Sequence, residues 1–199
     1  MAGESGTLAA ERHSFFDRLV GFLRFDRDTY DEIDRDPVAI WQALLVVVIA
    51  SAAAALGTYI ARPDSMAFLG AFAGEVAQWA LFAVLAYFVG ISLFAPPRRA
   101  SLWQVGRLIG FAQAPRVLGV FSFIPGFLGG LIPLVGTGIF LVYAIASLRA
   151  AFDYSPRRSI ATAVFTFVVL AGILYLIEAI LHLDVSMLPT NTMANGGVI

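Results

Sequence analysis

The feature that most constrains this chain is a succession of apolar runs, each near the length of a bilayer crossing, separated by short segments rich in Pro, Gly, Asp and Arg. A helix needs about 20 apolar residues to traverse roughly 30 Å of hydrocarbon. Five runs qualify: Val38 to Ala61, Ser65 to Phe94, Leu102 to Ile124, Phe127 to Ala150 and Ser159 to Leu183. Asp36 as N-cap and Pro37 at the first helical position open the first, and Pro96-Pro97 stop the second. The third is the weakest, because Gln104, Arg107, Gln113, Pro115 and Arg116 interrupt it, and Pro133 lies inside the fourth. The expected fold is all-α: a polytopic transmembrane helical bundle of five spans over residues 37–184, with an N-terminal arm over 1–36 and a polar tail over 185–199.

Composition excludes a water-soluble domain. Hydrophobic residues make up 59% of the chain and charged residues 14%, against about 25% charged in an ordinary soluble protein, so the apolar side chains exceed what a water-facing fold buries. The net charge of -1 gives no electrostatic reason for a nucleic-acid partner. All thirteen basic residues are Arg, which with abundant Ala and Gly points to a GC-rich bacterial genome and hence to a bacterial inner membrane. The absence of Cys removes disulfides, thiolate metal sites and cysteine nucleophiles. Polar, acid-rich residues precede the first apolar run where a secretory signal would begin with a basic stretch, so that run is expected to act as an uncleaved anchor.

Arginine placement sets the expected direction of threading. With five spans, one side receives Arg12, Arg18, Arg24, Arg27 and Arg35, then Arg98 and Arg99, then Arg149, Arg157 and Arg158; the other receives Arg62. The N-terminus is therefore expected in the cytoplasm and the C-terminus on the opposite side. Small residues one turn apart, Gly70 and Gly74, Gly106 and Gly110, Gly126 and Gly130, are expected to serve helix packing, or self-association and contact with other membrane proteins.

From Glu11 to Phe25 the residues Phe15, Phe16, Leu19, Val20, Phe22 and Leu23 recur at helical spacing between charges. Two placements fit an amphipathic helix there. It lies in the membrane interface, with Arg12, Arg18 and Arg24 contacting headgroups, or it caps the bundle. The acidic segment Asp26, Asp28, Asp31, Glu32, Asp34 and Asp36 carries carboxylates at calcium-loop spacing, but lacks the turn glycine and closing Glu of such a loop. A solvated helix or turn is the expectation.

Charges inside spans are costly, and each raises a question of function. At about 1.5 Å per residue, Glu75, Arg116 and Glu178 fall at similar depth, roughly 8 to 15 Å from the translocated ends. An intramembrane polar site of Glu75, Gln78, Gln113, Arg116 and Glu178 follows, read either as a structural ion pair or as a site for an ion, a proton or a lipid headgroup. Arg107 is about 180° round an ideal helix from Arg116 and is expected to snorkel to the interface. His13 and His182 fall at opposite ends of the bundle, and neither a G-x-S-x-G nor an H-E-x-x-H pattern occurs. No catalytic residue, metal or cofactor is expected.

The arm Leu23-Arg24-Phe25-Asp26-Arg27-Asp28-Thr29-Tyr30-Asp31-Glu32-Ile33-Asp34-Arg35-Asp36-Pro37, the stretch Gly110-Phe111-Ala112-Gln113-Ala114-Pro115 and the turn Pro125-Gly126 with Pro133 downstream resemble the Yip1 family of small multispanning membrane proteins in its bacterial form, over about Phe22 to Leu183. The resemblance implies a five-span domain with a cytoplasmic N-terminus. Eukaryotic relatives are associated with Rab-type GTPases and vesicle traffic, but their Asp-Leu-Tyr-Gly-Pro-type arm motif is absent here. The functional expectation is a non-enzymatic scaffold or interaction protein of membranes, with a small transporter or channel-like protein as the alternative.

Overall fold

Pro, Gly and capping residues divide the chain at the ends of its apolar runs. The computed structural model describes residues 14–93 and 96–187, with backbone only at 178 and 181–187. Within them the order is α1 (Phe15–Leu23), α2 (Arg27–Arg35), α3 (Ala39–Ala61), α4 (Ser65–Leu93), α5 (Leu102–Ala112), a 3₁₀ segment (Ala114–Phe123), α6 (Phe127–Phe152) and α7 (Pro156–Met187). No strand occurs among the described residues. Helices α3, α4, α6 and α7 as far as Ile177 are long and apolar enough to cross a membrane. Their outer faces are apolar too: Met66, Leu134 and Val168 are all exposed, the arrangement expected when hydrocarbon rather than water is the solvent. This is a membrane protein.

The interior is built from small residues and a few rings. Ala39, Ala43, Val46, Val47, Ala50 and Ala55 line the buried face of α3, so that neighbouring backbones approach closely, which is how helices associate in lipid. The close approaches are extreme at Gly57, where a Cβ would lie 2.6 Å from the carbonyl oxygens of Gly119 and Val120, and at Gly110, where it would lie 2.8 Å from Cβ of Ala43. Of the six glycines paired by sequence spacing, only Gly110 makes such a contact; a Cβ at any of the other five meets open space.

The expectation of one continuous helix from Leu102 to Ile124 is corrected. Ser101 starts α5 with a reciprocal cap, its Oγ accepting from Gln104 N–H at 3.2 Å and its own N–H donating to Gln104 Oε1 at 2.7 Å. The helix stops at Ala112 because Pro115 has no N–H to continue the ladder and disfavours helical geometry at the residue before it. The chain tightens instead to three-residue bonds: Gln113 N–H to Gly110 at 3.1 Å and Arg116 N–H to Gln113 at 2.9 Å. The two halves still run beside α3 in its direction, Gly110 facing Ala43, Gly119 facing Ala54 and the segment from Gly119 to Ser122 facing Gly57. The turn back into α6 uses Gly126 at φ 78°, a conformation that L side chains resist.

The first apolar helix begins slightly later than its sequence signals. Ala39 is its first residue, and Asp36 closes an Asx-type turn before it, Oδ1 accepting from the Val38 N–H at 2.9 Å.

Candidate functional site

Two polar clusters have formed where the fold brings charges together. The first is inside the bundle. Glu75 and Gln78, one turn apart on α4, meet Arg116 of the 3₁₀ segment: a guanidinium nitrogen lies 2.8 Å from Glu75 Oε2, and Arg116 Nη2 donates to Gln78 Oε1 at 3.1 Å. The same guanidinium stands 5.8 Å from the centre of the Phe140 ring, a cation-π geometry. Gln113, at the break between α5 and the 3₁₀ segment, is 4% exposed and its Nε2 has no partner.

Gln78, Gln113, Arg116, Thr137, Phe140 and Phe167 border a cavity of about 10 Å³, room for one water at most. Four of the five residues of the sequence-derived polar site thus gather at this point; the Glu178 side chain lies outside the described residues. A cavity of that size does not admit a solute, and chemically the cluster pairs a partly buried cation with a carboxylate, an amide and an aromatic face.

The second cluster binds the arm to the bundle. Ser14 caps α1, its Oγ accepting from the Asp17 N–H at 3.3 Å while Asp17 Oδ2 accepts from the Ser14 N–H at 3.2 Å. This orientation turns Arg18 inward. Arg18 is 3% exposed; its Nε and Nη2 donate to Glu32 Oε1 at 3.0 and 2.7 Å, Nη2 also to Asp36 Oδ2 at 2.7 Å, and Nη1 to Gln42 Oε1 at 2.9 Å. Burial works against its charge, but the hydrogen bonds to Glu32 and Asp36 outweigh it and hold the guanidinium pKa above its ordinary value. The expectation of Arg18 as a headgroup contact is corrected, since the side chain is buried and each of its three guanidinium nitrogens donates to protein. Arg24 is exposed at the end of α1. Arg12 and His13, like the His182 side chain, lie outside the described residues.

The acidic segment is helix α2, with Asp26 as N-cap accepting from the Thr29 N–H at 3.2 Å. It is not solvated throughout. Asp34 is 1% exposed and its Oδ2 accepts from Arg98, and from Gln104 Nε2 at 3.3 Å. Arg107 does not snorkel outward: it is 6% exposed, and its Nη2 donates to the Asp34 carbonyl at 2.5 Å, completing the C-terminal end of α2. Among the described residues no group of acidic or histidine side chains has the arrangement to hold a metal.

An aromatic seam runs beneath this network. Phe22 is fully buried, stacked on Tyr30 at 4.4 Å and 5.6 Å from both Phe111 and Tyr143; Phe25 stacks on Tyr143 at 4.7 Å. Tyr143 donates to the Leu23 carbonyl at 2.9 Å. The inner face of α1 therefore caps the bundle, while Phe16 at 72% exposure, with Val20 and Leu23, faces outward. Sequence reasoning missed Glu32, Asp34, Asp36, Gln42, Arg98, Gln104 and Arg107 as one network. The available signal was Tyr30 and Ile33 at i, i+3 spacing, which marks α2 as a packed helix rather than a solvated one.

A family model described as the Yip1 domain matches residues 20–177. Searches of curated proteins and of solved structures found no match.

Proposed function

The chain belongs to the Yip1 domain family, and from that membership we propose that it is a non-enzymatic scaffold or interaction protein of the bacterial inner membrane, presenting a fixed platform at its arm end. The observation that carries this reading is the burial of Arg18 and Asp34: their bonds make α1 and α2 part of the bundle rather than a flexible tether. A docked arm of this kind holds Phe16, Val20 and Leu23 exposed in one fixed arrangement, so a partner binds without ordering it first.

The reading includes five crossings, the third broken at Gln113, with the N-terminus in the cytoplasm. Support for the crossing comes from the parallel course of α5 and the 3₁₀ segment along α3; support for the direction comes from Arg24, Arg27, Arg35, Arg99, Arg149, Arg157 and Arg158 at the arm end against Arg62 at the other. Non-helical backbone is tolerated at membrane depth where protein covers it. The alternative, a small transporter or channel-like protein working through Glu75, Gln78, Gln113 and Arg116, is favoured by one observation, the unpartnered Gln113 amide at the helix break.

One experiment separates the two. A photo-crosslinker at Phe16, used in native membranes, gives a discrete cross-linked species on the scaffold reading, either a second copy or another membrane protein, and the purified protein in liposomes gives no ion or solute flux above empty vesicles. Flux that disappears in Glu75→Gln, with no cross-linked species, overturns the scaffold reading in favour of the transporter.

A further inference from the structure

A lateral cleft of about 620 Å³ opens at the arm end between α2 and α6. Its chemistry changes across its depth. One wall is apolar: Val142, Ile145, Ala146 and Ala150 follow one face of α6, and Val142 is 53% exposed, continuous with the lipid-facing surface of that helix. The other end is basic, with Arg27, Arg35, Arg98 and Arg149 outnumbering Asp31 and Asp153. Arg98 is committed to Asp34, and Arg35 lies 3.6 Å from Asp31. Arg27 and Arg149 form no ion pair among the described residues, and both are exposed. Tyr30 also borders the cleft and carries a buried hydroxyl without a partner.

The position of the cleft matters as much as its lining. Helix α6 carries no charge from Phe127 until Arg149, so the cleft straddles the level at which its apolar surface ends. A soluble anion has no use for the apolar wall, and an acyl chain alone has none for two unpaired guanidiniums.

We propose that this cleft is a binding site for one anionic phospholipid of the adjoining leaflet, its phosphate held between Arg27 and Arg149 and an acyl chain lying along Val142, Ile145 and Ala146. Basic pockets at the membrane surface between helices recognise headgroups in this way, and guanidinium is suited to phosphate because it donates two parallel hydrogen bonds. The proposal needs only that the chain spans a membrane; it stands or falls independently of the scaffold reading.

The test is native mass spectrometry of the full chain purified in mixed micelles containing equal amounts of phosphatidylglycerol and phosphatidylcholine, counting retained lipid. The expected result is a preference for phosphatidylglycerol that falls roughly fivefold in Arg27→Gln or in Arg149→Gln and about 25-fold in the double variant. Arg157→Gln, at the same end but outside the cleft, leaves it unchanged. Replacing both Arg27 and Arg149 with Lys retains most of the preference, which separates loss of charge from loss of fold. Equal retention of the two lipids by the native chain overturns the proposal, as does an equal fall in Arg157→Gln. Displacement of the lipid by the same concentration of soluble glycerol phosphate also overturns it, since the site would then recognise phosphate alone.

Discussion

Arg18 of α1 and Asp36, the residue directly after the last residue of α2, lie 2.7 Å apart, with Glu32 at the same distance from the same guanidinium nitrogen. One buried cation thereby ties the first helix to the end of the second, and through Gln42 to the first apolar helix. Removing one member of a buried pair leaves the others uncompensated, at a cost of about 3 kcal/mol. Arg18→Ala is accordingly predicted to lower stability by about that amount and to expose the arm to protease before the bundle unfolds. Arg18→Lys recovers only part, since an ammonium cannot reproduce the fork of donors. Proteolysis and denaturation of the three proteins side by side checks this; equal protease resistance in all three contradicts it. The guanidinium pKa is raised, so its contribution is fully present below the ordinary Arg value and is lost only as pH rises past it. Acid does not discharge Arg18.

Inside the bundle, Glu75→Gln leaves Arg116 with Gln78 and no carboxylate, a loss of about 3 kcal/mol. The double variant Glu75→Leu with Arg116→Met removes both charges and is predicted to return close to native stability, because no unpaired charge stays behind. Unfolding by detergent titration reads both. Additive losses in the double variant contradict a coupled pair.

Gly57→Ala places a methyl within 2.6 Å of two backbone carbonyls of the 3₁₀ segment, where the only relief is separation of the segment from α3. A cost of about 1–3 kcal/mol is predicted, the usual range for overpacking. Gly70→Ala, which meets open space, changes the stability of the isolated chain by less than about 0.5 kcal/mol. A destabilisation of equal size in both variants contradicts the packing described for Gly57.

Burial, with Tyr143 nearby as a lesser cause, pushes the Tyr30 phenol above its ordinary value, which is near 10. The sign is that of a raised group: its contribution to stability is complete below about pH 10 and declines as pH rises toward the folded-state value. Because the hydroxyl has no partner, Tyr30→Phe is predicted to be neutral or slightly stabilising and to remove that alkaline decline. Unfolding measured across alkaline pH in both proteins decides; a large loss in Tyr30→Phe at neutral pH contradicts it.

The long apolar helices were legible because hydropathy encodes them directly: Ser65 and Phe127 begin α4 and α6 where the apolar runs begin, and α3 ends at Ala61. Depth counted along the chain put Glu75 and Arg116 at one level, and they lie 2.8 Å apart. The break at Gln113 was signalled by Pro115, but the overall length of the run from Leu102 to Ile124, close to that of a full crossing, concealed it. The arm network was not legible, because its bonds join residues far apart in sequence, Arg107 to Asp34 and Arg98 to Asp34. Nothing in a local pattern tells a charge that faces water from one that is folded inward against a carbonyl. The same limit hid Gly57 and Gly119, whose close approach depends on which helix lies opposite.

An arm that is a fixed part of the bundle keeps a constant distance from it, and the absence of native Cys allows two labelled cysteines to be introduced without background. Spin labels at Phe16 and Trp103, both exposed, in the protein reconstituted in lipid report the arm-to-bundle distance distribution by pulsed electron resonance. A single narrow distribution is the predicted result; a broad one, spread as a tethered flexible segment would spread it, contradicts the docked arm and the platform built on it.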